Sequence, residues 1–385
     1  MTKIKILSRV KPNLNQNNSD SCVKSHENQV MVQKSQKSYL KDYNMTHKYK
    51  FDKVFDEHCV NLDVYNELGI DMLMNVLKYK KNVTFYVYGQ TGSGKTHTIL
   101  GAKKEEGFLH ILLSDILEMN LDANISFIEI YNNKCYDILN DKKQVYQRED
   151  YQKQFIVQNL KCKSLKKESD IQEIQEIISK NRKVGVSSEN STSSRSHLQI
   201  TIDLGDRFLR ILDLAGCEKA KRSICDDRKQ FRENGDINQS LFALKECIRS
   251  LVEKKPYIPY RRCELTKMLR HSFDQNSCTY ILCTIPQEVA HSHTTVDVLN
   301  YVSDMKNIKK ECVRQNKMPL CDHFVQGSPR FKHIFSHKET FLKYQKQEHE
   351  LFEKMLKKQS SKVLLDDYLS IMHKKQQLLE GKSSD

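Results

Sequence analysis

Apolar positions along the chain switch between a period of two and a period near 3.6, and the switches mark the elements. IKILSRV (residues 4–10) predicts a short strand that ends at Lys11-Pro12. The stretch from Asn13 to Gln36 is polar, opens on NLNQNNSDS, and reads as a solvated loop or insertion. After FDKVFDE (51–57), Val64, Leu68, Met72 and Val76 recur at helical spacing within NLDVYNELGIDMLMNVLKYK. VTFYVYG (83–89) is nearly continuous in apolar and aromatic residues, as in a strand covered on both faces of an α/β sheet.

The second half continues the alternation. NISFIEIYNNKCYDIL predicts a strand, a turn at Asn132-Asn133 and a short helix. In LQITIDL, Leu198, Ile200, Ile202 and Leu204 share one face, and after Gly205-Asp206 comes RFLRILDLAG, so the two runs predict a hairpin. INQSLFALKECIRSL (237–251) is an amphipathic helix with Ile237, Leu241, Leu244, Ile248 and Leu251 on one stripe and Lys245 and Arg249 on another face. TYILCTI (279–285) is a last buried strand, and TTVDVLNYVSDMKNIKK a closing helix. Composition shifts near Lys309. Residues 309–341 read as an irregular linker, and 342–380 as a charged, helix-prone segment without a clean heptad.

A chain of 385 residues has room for one large α/β domain with an appendage, or for two ordinary domains. Its net charge of +14 points to an acidic polymer or surface as partner: nucleic acid, anionic lipid or an acidic protein lattice. The 12 cysteines form no C-x-x-C pair and no zinc-ligand spacing, which suits reduced thiols in the cytosol or nucleus. MTKIKILSRVKP has no apolar signal core, and no apolar run approaches 18 residues, so neither a signal peptide nor membrane insertion is expected.

Three short stretches carry chemistry. Gly89-Gln90-Thr91-Gly92-Ser93-Gly94-Lys95-Thr96 satisfies G-x-x-x-x-G-K-[ST] between a strand and a helix-compatible segment. The glycines let backbone N–H groups curl round a phosphate, Lys95 supplies a point charge, and Thr96 a hydroxyl for Mg²⁺. Asp213-Leu214-Ala215-Gly216 follows a strand, which suits a carboxylate near Mg²⁺ and a Gly216 N–H free for a γ-phosphate. Asn190-Ser191-Thr192-Ser193-Ser194-Arg195-Ser196-His197 is rich in hydroxyls. Taken alone it could be a phosphorylatable loop, but Arg195 is in a position to pair with Glu218 and tie two loops together.

GQTGSGKTHT, NSTSSRSH, DLAGCE, INQSLFALKECIRSL and PYRRCELTKMLRHSF, in this order, resemble the kinesin motor domain over residues 3–308. The resemblance implies a P-loop NTPase-type α/β fold, with a central, mostly parallel eight-stranded sheet between helices. It implies ATP as substrate, Mg²⁺, and microtubules as partner, in the cytoplasm and on the cytoskeleton, including the mitotic spindle. Arg9, Lys11 and Pro12 would flank the adenine with His97 opposite. Ser193 and Ser194 would be hydroxyls near Mg²⁺ and the lytic water, and Arg195 and Glu218 would close the site.

The family's filament-facing loop and helix would here carry Lys219, Lys221, Arg222, Arg228, Lys229, Arg232, Lys245 and Arg249, then Lys254, Lys255, Arg261, Arg262, Lys267 and Arg270. Glu264 stands where the family usually has lysine, which would either weaken the contact or be offset by Arg262 beside it. ALKECIRSL is similar to the kinesin-13 subfamily, whose members depolymerise microtubules. Against a simple assignment, the place of that subfamily's Lys-Val-Asp loop tip reads Lys34-Ser35-Gln36, and NIKKECVRQN is similar to the neck linker of walking motors. Two other classes stay open: a nucleic-acid-stimulated P-loop ATPase, and a kinesin-fold binding protein that has lost catalysis. The first would place aromatic stacking platforms among its basic residues, and only scattered tyrosines are present.

Overall fold

The computed structural model describes residues 3–12, 21–36, 43–102, 105–149, 155–183, 195–218, 228–273, 276–305 and 370. The chain divides into two units, residues 1–114 with 122–316 and residues 115–121 with 317–385. Of the second unit, 115–121 and Ser370 are described, and Ser370 is helical and exposed. The predicted linker at 309–341 and the rest of the predicted segment at 342–380 lie outside the described residues.

The order along the chain begins with β1 (Lys3–Val10), β2 (Val23–His26), β3 (Gln29–Gln36), β4 (Tyr43–Lys50), β5 (Lys53–Phe55), α1 (Asn61–Leu77) and β6 (Asn82–Tyr88). Then come α2 (Lys95–Leu100), β7 (Gly101–Ala102), β8 (Glu105–Glu106), α3 (Phe108–Glu118), β9 (Ala123–Tyr131), β10 (Lys134–Asp137) and β11 (Lys143–Val145). β12 (Gln147–Glu149), β13 (Phe155–Val157), β14 (Lys163–Leu165), α4 (Glu168–Lys183), β15 (His197–Asp203) and β16 (Phe208–Asp213) follow. Last are α5 (Arg228–Val252), α6 (Glu264–Leu269), β17 (Ser277–Ile285) and α7 (Ser292–Met305).

Ten strands form the main sheet, in the order β11-β10-β9-β15-β16-β6-β17-β1-β5, with β14 also paired to β9. Short flanking strands bring the count past the expected eight. β16, β6, β17, β1 and β5 run parallel to one another. The strands from β15 outward pair antiparallel, and β15 with β16 is the hairpin read from sequence. Parallel pairing places the carboxyl ends of β16, β6, β17 and β1 along one edge, where ligands of open α/β sheets bind. Asp213 there lies beside Val87, and Val10 beside Ile285.

Side chains of β6 alternate between two helix layers. Phe85 packs at 4.8 Å from Phe108, which meets Tyr65 of α1 edge-on at 5.2 Å. Tyr86 and Tyr88 face the other way, towards Met305 and Tyr301 of α7. The apolar stripe of α5 packs on that second face through Leu241, Leu244 and Ile248.

Three sequence expectations are corrected. Residues 21–36 are not a solvated loop: β2, β3 and β4 form an antiparallel sheet, turning at Glu27 with a φ of 50°. Val23, Val30 and Val32 are buried beneath it, a short alternation that the surrounding polar residues obscured. Lys34-Ser35-Gln36 is strand as well, paired with Met45, Asn44 and Tyr43, and so is no loop tip. The Asn132-Asn133 turn, with φ of 47° and 53°, leads into β10, and a single 3₁₀ turn at Ile138–Asn140 replaces the expected helix.

Truncating Phe85 in this two-sided core leaves a cavity between α1 and α3. Phe85→Ala is expected to lower unfolding stability by about 3–5 kcal/mol, read as a shift in the urea midpoint at unchanged slope.

Candidate functional site

β6 hands the chain at Tyr88 to Gly89–Gly94, and α2 starts at Lys95. Gly92 and Gly94 have φ of +75° and +99°, and a Cβ on either would meet nothing within 4 Å. The first fact explains why glycine stands there; the second leaves the inside of the loop open. The Ser93 hydroxyl donates to the Gln90 carbonyl at 2.7 Å, which leaves it to accept from Thr284 Oγ1 at 2.7 Å. Lys95 Nζ is buried and donates to the carbonyls of Gly89 (2.9 Å) and Gln90 (2.8 Å). The ammonium is thus kept at the mouth of the loop by groups that an incoming phosphate can replace.

The Thr96 hydroxyl donates to Asp213 Oδ2 at 2.7 Å, which joins the start of α2 to the end of β16. A hydroxyl and a carboxylate side by side below an open phosphate loop are hard oxygen donors of the kind Mg²⁺ takes together with substrate phosphates. Two of the three metal candidates therefore meet and fit the ion. The third, Ser194, lies outside the described residues, as does Ser193.

Beyond Asp213 the chain returns to the loop. Glu218 Oε2 accepts from the Thr91 N–H at 2.8 Å, and Oε1 from the Thr91 hydroxyl. A Cβ on Gly216 would lie 2.2 Å from Thr91 Oγ1, so only glycine allows this approach. Arg195 is half-buried just before β15. In this conformation Glu218 braces the phosphate loop.

His197, absent from the sequence-based candidates, joins the motifs. Its Nδ1 accepts from the Ala215 N–H at 2.9 Å, so Nε2 carries the proton and donates to Ser240 Oγ of α5, also at 2.9 Å. Next to it, Ser196 donates to Glu129 at 2.7 Å, and Glu129 pairs with Lys142 at 2.8 Å. The end of the hydroxyl-rich run is thus bonded to β9, to the D-x-x-G segment and to α5. The available signal was a histidine that opens an apolar strand, a position where an imidazole is buried and needs two partners.

Arg9 is 6% exposed and donates to Asn61 Oδ1 (2.5 Å), Thr98 Oγ1 (2.9 Å) and the Cys59 carbonyl (3.0 Å). Burial lowers its pKa, with Glu105 opposing the shift. Lys11 is half-buried and bonded through its backbone to Ile285 and Gln287, Pro12 is exposed, and His97 lies near Glu105 at 3.3 Å.

Of the basic candidates, Lys219, Lys221 and Arg222 lie outside the described residues, as do the side chains of Arg228, Lys229 and Arg232. Lys245 sits over the Tyr301 ring at 4.9 Å, and Arg249 is exposed. Lys254 and Lys255 are exposed too, and Lys255 pairs with Glu253 at 2.7 Å. Glu149 takes both Arg261 (2.5 Å) and Arg270 (3.3 Å), which holds its carboxyl below the usual range. Arg262 pairs with Glu246, so the expected offset of Glu264 by Arg262 is corrected: Lys267 supplies it, at 2.5 Å.

Residues 9–308 match the family model of the kinesin motor domain. Kinesin-like protein KIF24 of Homo sapiens is 35% identical over 306 residues, 75% of this chain and 22% of that protein. Kinesin-like protein KIN-13B of Arabidopsis thaliana is 33% identical over 330 residues, 80% of this chain and 48% of that protein. The chain thus spans less than half of either relative. A solved KIF14 dimer, bound by two heads with AMP-PNP in complex with a microtubule, aligns with a TM-score of 0.69 at 24% identity, over 80% of this chain and 94% of that one. That likeness concerns the fold.

His197→Ala removes the acceptor of the buried Ala215 N–H and the partner of Ser240. A loss of about 1–3 kcal/mol is expected by denaturant unfolding, with Ser240→Ala losing about 1 kcal/mol.

Proposed function

The chain belongs to the kinesin motor-domain family, and from that premise we propose that it is an ATP-hydrolysing, microtubule-binding motor of kinesin-13 type, which shortens microtubules from their ends. The observation that carries the ATPase reading is the Thr96–Asp213 pair beneath the open glycine loop, with the Lys95 ammonium at its mouth. ATP is the substrate. Its phosphates would lie against the backbone of Gly89–Gly94 and draw Lys95 Nζ from the two carbonyls to which it now donates. Mg²⁺, when bound, offsets phosphate charge, and Thr96, Asp213 and Ser194 would hold it.

Glu218 is the moving part. With a γ-phosphate present, the Gly216 N–H would turn to it, and Glu218 would exchange Thr91 for Arg195. That exchange would close the site, and Ser193, two residues before Arg195 in the sequence, would help hold the attacking water. None of these side chains is a strong base, so positioning and electrostatics supply the acceleration, and the proton leaves through water. His197 carries the rearrangement to α5 through Ser240.

The filament reading rests on the net charge of +14 and on the basic residues from Lys219 to Arg270 opposite an acidic lattice. The expected place of action is the cytoplasmic microtubule cytoskeleton. Depolymerisation is favoured over walking by the helix ALKECIRSL and by the similarity to KIN-13B.

Lys95→Ala is expected to abolish ATP turnover in a phosphate-release assay; a mutant that turns over normally would mean that hydrolysis occurs elsewhere. Stabilised microtubules followed by light microscopy with the protein and ATP are expected to shorten from their ends. Filaments that glide over a protein-coated surface at constant length would instead make this a translocating motor.

A further inference from the structure

Glu129 is a buried carboxylate that the proposed chemistry does not use. It stands on β9, between Leu198 of β15 and Tyr136 of β10 in the sheet register, and is 3% exposed. Both of its oxygens are engaged: Oε1 accepts from the Ser196 hydroxyl at 2.7 Å, and Oε2 pairs with Lys142 Nζ at 2.8 Å. A carboxylate taken out of water needs such partners, and removing the cation alone leaves a buried charge uncompensated.

The lysine is delivered by an unusual turn. β10 leads into the 3₁₀ turn Ile138–Asn140, and Asp141 and Lys142 follow, both in left-handed backbone with φ of 50° and 56°. Residues other than glycine seldom adopt this conformation, and two in succession persist only where the surroundings over-determine the chain. Here the Asp137 carboxylate accepts from the N–H groups of Leu139 (3.0 Å) and Lys161 (2.8 Å), and the Ile138 carbonyl accepts from Asn181 Nδ2 of α4 (3.3 Å). The connection from β10 to β11 is therefore bonded to the chain near the end of α4, through Asn181, and just before β15, through Lys142, Glu129 and Ser196.

Ser196 stands between two residues of the site. Arg195 precedes it, and His197 follows, with Nδ1 accepting from the Ala215 N–H at 2.9 Å. Arg195 lies two residues from that hydrogen bond on one side, and Glu218 three residues from it on the other. A shift of Ser196 thus displaces the backbone that carries Arg195.

We infer that Lys142 and Glu129 are positioning residues for ATP hydrolysis: as a pair they fix Ser196, and with it the backbone from which Arg195 would reach Glu218. This rests on the proposed exchange of Glu218 from Thr91 to Arg195. Both residues act through Ser196 and not on the substrate. Without Lys142 the carboxylate would rearrange towards water or another donor, and Ser196 would move with it.

The test is steady-state phosphate release by the intact chain with Mg²⁺, ATP and stabilised microtubules. Lys142→Ala is expected to lower kcat about tenfold with KM for ATP unchanged, and Ser196→Ala, which cuts the same link from its other end, to lower kcat likewise. Lys142→Arg, which keeps the charge, should retain most of the activity. Combining Glu129→Gln with Lys142→Ala removes the unpaired charge and keeps an acceptor for Ser196, so kcat should recover above that of Lys142→Ala alone. An unchanged kcat in Lys142→Ala, a rise in KM with kcat retained, or a double variant no better than the single one overturns the positioning role. Should Lys142→Ala fail to fold, Ser196→Ala and the double variant decide. Wild-type protein that releases no phosphate overturns the ATPase reading itself.

Discussion

Parallel pairing of β16, β6, β17 and β1 is the constraint on which the rest depends. Strands joined side by side in one direction end along one edge, and every group of the site leaves from that edge. β6 leads into the phosphate loop, β16 supplies Asp213, and β1 supplies Arg9 and leads into Lys11. Shift the register of β16 against β6 and Asp213 would no longer meet Thr96. The fully buried strands behind the edge resist such a shift, since a slip of one residue would exchange the contacts of Phe85 and Tyr86 between two different helix layers.

Two kinds of polar contact divide the work on this frame. Buried, fully bonded groups hold the fixed parts: Asn61 with Arg9 at one end, His197 with Ala215 and Ser240 at the other. Contacts that are more open to exchange sit at the centre, where Lys95 occupies carbonyls of its own loop and Glu218 occupies Thr91. On the proposed reading, a phosphate chain would compete with the second kind without disturbing the first, and binding would move Glu218. The same economy marks the basic side of the molecule. There Glu149, Glu246 and Glu264 hold arginines and a lysine in place. Partly solvated pairs of this sort are weak and can exchange towards another acidic surface.

Much of this was legible in the sequence, because buried strands and glycine loops write themselves locally. VTFYVYG and TYILCTI could hardly be anything but central strands, and GQTGSGKT requires its positive φ angles. The β2–β4 sheet was not legible, since its three buried valines sit among asparagines, lysines and serines that mimic a loop. The bonds of Arg9 were hidden for a different reason. A sequence shows that an arginine is near the site but not which way it points, and three of its partners lie 50, 52 and 89 residues away. His197 was missed because Ala215 and Ser240, to which it is bonded, carry no charge that would draw notice.

The central claim is that this site spends ATP on a microtubule. It is tested most directly by steady-state ATP turnover of the intact chain, alone, with stabilised microtubules, and with DNA or RNA as separate additions. Turnover should rise with microtubule concentration to a plateau, with nucleic acid giving no increase. Activation by nucleic acid while microtubules leave the rate unchanged would contradict the account.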